Sequence, residues 1–263
     1  MSWARIMAPV AGGKGDDAVL AAAAAVAAPF GAEVAAIHTP ADVADLMPWM
    51  GEGFMGGVQI TAIESLKEAT ATGERAARTA FDGCSAKTKR FISLESPVWA
   101  GLSMQGRLSD VVVFDDAAAR GRGPLAEAFQ QIVADEQRPT IVARPNFNPT
   151  GVALVAWDGG KEASRAARTA LPLLQKASRV VIFSAPSATS RKFDPVELAA
   201  FYAVRGVVAE VQTGGEGGDA ASILLDAAKS LDASLMVAGA FGHPRLQEYI
   251  FGGTTRTLLN NDG

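Results

Sequence analysis

The chain holds one cysteine, Cys84, and two histidines, His38 and His243, in 263 residues. One cysteine excludes an internal disulfide. His38 has no Cys, His or carboxylate at metal-ligand spacing, so no metal site is expected. Cys84 follows Asp82-Gly83 near the end of a predicted helix with no adjacent histidine to activate it, and reads as a passive thiol. Basic charge is not in excess either: 24 Lys and Arg against 28 Asp and Glu leave a formal charge of −4. Such a chain has no basic field to hold a polyanionic backbone, which argues against nucleic acid as a partner. Long apolar runs are also missing. The longest apolar stretch, Ala18 to Phe30, is alanine-rich, too short to span a bilayer and preceded by two aspartates at a helix start; it predicts a buried helix, not a membrane anchor. The opening Met1-Ser-Trp-Ala-Arg leads into no signal-like apolar segment, and a cytoplasmic, reducing location is expected.

What is present is a core-forming composition, 49% hydrophobic and 20% charged, on a length that suits one large or two modest domains. An internal repeat decides for two. Ile6-Met-Ala-Pro-Val-Ala-Gly12-Gly13-Lys14 runs into an alanine-rich helix. Ala153-Leu-Val-Ala-Trp-Asp158-Gly159-Gly160-Lys161 runs into a second predicted helix, Glu162 to Lys176. Both read as strand, Gly-Gly-Lys turn, helix. Each is followed by another short apolar run, Glu33 to His38 and Arg179 to Phe183. Further on, a helix over 58–83 pairs with one over 195–204, and a strand over 88–94 with Gly206 to Gln212. A shorter helix then precedes each fourth strand, Asp110-Val-Val-Val-Phe114 and Ser234-Leu-Met-Val-Ala238. The first half closes with a helix from Pro124 and a strand from Thr140 to Arg144.

Strands alternating with helices predict parallel sheets covered on both faces. Pro145-Asn-Phe-Asn-Pro149-Thr-Gly151 has turn formers and no periodicity. The expected domains are therefore 1–145 and 152–263, with a linker over 146–151. When Asp110 to Arg144 is laid on Ser234 onward, the counterpart of Thr140 falls just beyond Gly263, so the second α/β domain is expected to lack its final strand. An exposed edge on its fourth strand, or another element in the gap, would follow.

The second half carries the chemistry. After the strand ending at Ala238, Gly239-x2-Gly242-x9-Gly252 is followed by Gly253, Thr254 and Thr255. Glycines let the backbone approach a ligand, the first N–H groups of a helix opening near Thr254 point at an anion, and the two hydroxyls add donors. This spacing resembles the nucleotide loop of the universal stress protein family, in its tandem two-domain form. The resemblance implies two Rossmann-like domains with strand order 3-2-1-4-5, the ligand lying where strands 1 and 4 meet at the topological switch point. It further implies an adenine nucleotide, ATP or AMP, as ligand. On the Gly-Gly-Lys alignment the matching acid is Asp158, which the resemblance places at adenosine; a carboxylate accepts hydrogen bonds from an amine or a ribose hydroxyl. Asp158 also suits a turn-stabilising or helix-capping role, and the two coexist. His243 and Arg245, between the second and third glycines, are candidate phosphate donors. Gly253 stands where many nucleotide-binding members have Ser or Thr.

The first half reads as degenerate. Ala11 stands at the place of Asp158, and its fourth strand runs into Asp115-Asp116, whose charges repel phosphate. Gly121-Arg-Gly123-Pro-Leu-Ala126 mimics a dinucleotide fingerprint six residues too late, with Pro124 suited to a helix first turn. Gly215 to Ala220 is acidic and reads as a loop ending in an Asp219 cap. Gly12-Gly13-Lys14 does not complete a Walker A loop.

The leading expectation is a regulatory protein that binds one adenine nucleotide in the second domain, with no catalytic residue assigned. Two alternatives stand beside it. One is a slow ATPase or self-phosphorylating protein, for which the sequence identifies neither a nucleophile nor Mg²⁺ ligands. The other is a nucleotide-free interaction module using Met47-Pro-Trp-Met-Gly-Glu-Gly-Phe-Met55, an adaptable Met-rich connection suited to a regulatory partner or a homodimer contact.

Overall fold

The computed structural model of the protein describes residues 2–40, 56–145, 147–185, 193–215, 219–240 and 257–259. The chain divides into two compact units, Trp3–Ala143 and Arg144–Gly263.

In the first unit five parallel strands lie in the order β3-β2-β1-β4-β5: β1 Arg5–Val10, β2 Glu33–His38, β3 Thr88–Ser93, β4 Val111–Phe114 and β5 Thr140–Val142. β1 and β4 are buried along nearly their whole length, as expected of central strands covered by helices on both faces. The helices are α1 Asp16–Ala27, α2 Gly56–Gly83, α3 Val98–Gly106, α4 Asp116–Ala119 and α5 Ala126–Ala134. The alanine-rich run is indeed a buried helix: Val19, Ala23 and Val26 of α1 are at most 1% exposed. It ends in a 3-10 turn, Ala28–Phe30, where Pro29 lacks the N–H that a continuing helix needs, and Gly31 turns the chain with φ 63°. At the outer end of the sheet Glu33 pairs with both Arg5 and Arg90, at 3.1 and 3.0 Å. Strand 4 is tied to the chain entering strand 1: the Asp110 carboxylate accepts from the amides of Ala4 and Arg5, at 2.7 and 2.9 Å.

The second unit repeats this plan. Its parallel strands β6 Val152–Ala156, β7 Arg179–Ser184, β8 Ala209–Thr213 and β9 Leu235–Val237 lie in the order β8-β7-β6-β9. This matches the first four strands of the other sheet, and among the described residues no fifth strand joins β9. The helices are α6 Lys161–Thr169, α7 Leu171–Leu174, α8 Pro195–Ala203 and α9 Ala220–Ser230. The single helix expected over Glu162 to Lys176 is broken at Ala170, because Pro172 cannot donate to the carbonyl four residues earlier. The helix before the fourth strand is not the shorter one here: α9 has 11 residues and α8 has 9. Tyr202 on α8 is fully buried and its hydroxyl donates to the Ala167 carbonyl of α6 at 3.0 Å. Burial pushes its phenol far above the ordinary range.

Among the described residues no helix is long and apolar enough to cross a membrane. In the first unit, Cys84 is buried with its Sγ directed to the Leu20 carbonyl.

Candidate functional site

The register of the two sheets fixes which residues correspond. Ile6 lies opposite Val111, and Ala153 lies opposite Leu235. The Gly-Gly-Lys turns therefore superpose: Gly12 and Gly159 both take left-handed backbone, with φ 77° and 72°, a conformation glycine adopts without a Cβ penalty. Asp158 thus stands at the tip of β6, one strand from the end of β9. The strand-1/strand-4 switch point of the second unit is formed by these two ends.

Asp158 is exposed, and its Oδ1 accepts the Gly160 amide at 2.8 Å. It stabilises its own turn. Among the described residues the amides of Asp158 and Gly159 donate to no protein acceptor, and Gly160, the cap of α6, has no side chain to bond the helix start. Beside the turn, the exposed Lys161 ammonium lies 3.5 Å from the carboxylate of Glu162, whose side chain is mostly covered. Trp157 lies buried beneath it, its indole Nε1 donating to the Phe193 carbonyl at 3.0 Å.

Gly239 follows β9 directly, and its position explains its identity. A Cβ there would lie 2.6 Å from the amide nitrogen of Ala163 and 2.7 Å from the carbonyl carbon of Glu162, inside the backbone of the first turn of α6. Only glycine lets the end of strand 4 come this close to the helix start. Asp158, Gly239 and the N-terminal turn of α6 are therefore neighbours. Gly242, His243, Arg245, Gly252, Gly253, Thr254 and Thr255 lie outside the described residues, as does the Met47 to Met55 connection.

The first unit replaces each of these features. By register Asp115 takes the place of Gly239. Its carboxylate caps α4 through the Ala118 amide at 2.9 Å, and lies 2.6 Å from where a Cβ of Gly15 would be. Gly15 corresponds to Glu162. The two units thus carry a reciprocal pair: Gly15 facing Asp115 in one, Glu162 facing Gly239 in the other. Asp116, expected to repel phosphate together with Asp115, instead forms a 2.5 Å ion pair with Arg120. The helix expected from Pro124 begins at Ala126, with Pro124 in the turn before it. Asp219 caps α9 through the Ser222 amide at 3.1 Å.

One residue escaped the sequence reading. Asp16, by sequence a helix-start aspartate, is 5% exposed, and its carboxylate accepts the Ala11 amide at 3.1 Å and the Gly12 amide at 2.8 Å. Burial raises its pKa above the ordinary 3.8, against the opposing pull of the Ala11, Gly12 and Gly13 amides and of His38. In sequence only the contrast between the halves marks it: it lies two residues past Lys14, where the second half has Ala163. Among the described residues no group of three or more His, Cys, Asp or Glu is arranged to hold a metal ion.

Comparison with known proteins agrees with this architecture. Residues 151–261 match the model of the universal stress protein family. A solved universal stress protein from Archaeoglobus fulgidus DSM 4304 is 14% identical, with 97% of this chain and 92% of that one covered at a TM-score of 0.67. A functionally unknown protein from Pseudomonas aeruginosa PAO1 is also 14% identical, with 98% and 89% covered at a TM-score of 0.52. At these identities the likeness is one of fold. No curated protein matched the chain. Residues 151–261 of the second unit thus match the universal stress protein family, and the first unit repeats the fold of the second.

Proposed function

We propose that the second unit binds an adenine nucleotide, ATP or AMP, at the meeting of β6 and β9, and that the protein acts by binding rather than by turnover. The observation that carries this reading is the close approach of Gly239 to the first turn of α6 beside Asp158. A chain end that only glycine can occupy, next to a helix start and an exposed carboxylate, suits a ligand with an anionic and a hydrogen-bonding part. Asp158 accepts from the adenosine moiety. Gly239 and Gly242 admit the turn, and the segment Gly252, Gly253, Thr254 and Thr255 offers amides and hydroxyls to phosphate, with His243 and Arg245 as further donors. Mg²⁺ would accompany ATP through its phosphates. The first unit serves as the structural partner of the binding unit, and a homodimer or a regulatory protein reads the bound state.

Titration calorimetry of the purified chain with ATP, AMP and ADP tests this. Saturable binding of at least one, reduced ~10-fold or more by Asp158→Ala combined with Gly242→Val, is the expected result. Absence of heat at millimolar nucleotide, or unchanged affinity in the double variant, overturns the proposal. A melting curve of the same variant separates lost binding from lost folding, since Asp158 also holds its own turn.

A further inference from the structure

We infer that Asp16 is a built-in anion of the first unit: its carboxylate occupies the amide cradle after β1 and determines that this cradle takes no external carboxylate or phosphate. Both carboxylate oxygens are used, Oδ1 by the Ala11 amide and Oδ2 by the Gly12 amide, and the Gly13 amide adds its pull. The side chain is almost wholly withdrawn from solvent. An anion held by successive loop amides at the start of a 12-residue helix has the geometry of a bound ligand, supplied from within the chain.

Three neighbours complete the enclosure. The backbone of α2 covers the loop: a Cβ on Gly12 would lie 2.5 Å from Gly73 Cα, so no ligand fits between them. The His38 ring is buried nearby, and its influence on the Asp16 carboxyl opposes that of burial. Its Nδ1 lies 3.0 Å from the Val10 carbonyl, which fixes that nitrogen as the donor, and among the described residues Nε2 has no partner. Asp115, against Gly15, adds a second carboxylate at the same strand ends. In the second unit Ala163 replaces Asp16, and the acid has moved to Asp158, where it takes the Gly160 amide instead. Among the described residues, the two amides consumed in the first unit therefore have no internal carboxylate in the second. This inference concerns the first unit alone and stands whether or not the second binds nucleotide.

Chemical rescue of the full chain tests it. Asp16→Ala removes the carboxylate and leaves a cavity the size of a small carboxylate ion, with formate as the probe and chloride at equal ionic strength as the control. The expected result is a melting midpoint lowered by roughly 4–8 °C, of which formate, saturably and unlike chloride, restores about half. The unaltered chain and Asp16→Asn, which fills the same space, show no difference between the two salts. Equal midpoints for Asp16→Ala in formate and chloride overturn the inference, and so does an equal formate gain in the unaltered chain. Should Asp16→Ala not accumulate folded, its refolding yield is compared in the two salts. A higher yield in formate supports the inference, and equal yields, zero included, overturn it.

Discussion

The two strand-turn-helix entries, Ile6 to Ala27 and Ala153 to Thr169, share a backbone and differ in where they place one carboxylate. Both turn on a left-handed glycine, Gly12 or Gly159. In the first, the acid comes from the helix and reaches back to the Ala11 and Gly12 amides; in the second, it comes from the strand tip and reaches forward to the Gly160 amide. Either placement satisfies a turn. Only the first consumes the amides that face the end of strand 1, and the difference in side chains is matched by the exchange of Gly15 and Asp115 for Glu162 and Gly239. A fold that is duplicated can thus keep one half as scaffold and the other as candidate site by moving a single charged group and adjusting its neighbour's size.

The most damaging way to break this comparison is to import the first unit's residue into the second. Gly239→Asp drives a Cβ into the backbone of Glu162 and Ala163, with no flexible side chain to yield, and is expected to cost about 2–4 kcal/mol in urea unfolding of the second unit. A neutral outcome would mean that the glycine is not required by the close approach. The reverse import is milder, because the atom in the way is a carboxylate oxygen. Gly15→Glu is expected to cost roughly 1–3 kcal/mol through crowding and like charge at Asp115. Asp115→Gly alone loses the cap of α4, about 1 kcal/mol. Together the two should cost less than their sum by about 1 kcal/mol or more, since the second removes what the first collides with. Strict additivity would deny the reciprocal relation.

The smallest effect is in pH. The folded pKa of Asp16 is raised above 3.8, so the native state holds its proton at a pH where the unfolded chain has released it. The associated stability is full below about 3.8, is lost as pH rises through the raised folded value, and is level above it. Asp16→Asn should remove this fall from a series of urea midpoints between about pH 3 and about pH 7. An unchanged slope would place the titration elsewhere.

Much of the fold is legible in the sequence because it follows from periodicity. Short apolar runs such as Val111 to Phe114 and Val180 to Phe183 are continuous, as strands buried on both faces must be, and the repeated Gly-Gly-Lys marks the same turn twice. Helix ends were less legible. The break at Ala170 depends on Pro172 within an otherwise helical run, and the extent of β8 depends on pairing with β7 rather than on its own composition, Ala-Glu-Val-Gln-Thr. Of the candidate site, Asp158 and Gly239 were legible as residue types at fixed distances from strand ends. Asp16 was not: its sequence position is that of an ordinary helix-start acid, and nothing local indicates whether such a carboxylate faces water or folds back onto loop amides.

The sequence by itself determined the α/β class, the duplication and the asymmetry of acids and glycines between the halves, because each follows from apolar period and from backbone conformations that particular residues permit. Only the tertiary structure decided which of these residues meet. The register of β1 with β4 and of β6 with β9 brings Asp115 to Gly15 and Gly239 to Ala163 across about 100 and 76 residues of chain, and the loop that holds the buried Asp16 is covered by the α2 backbone at Gly73. Hydrogen bonds and steric fit act over a few ångströms, and contacts at that range between distant segments exist only once the sheets have formed.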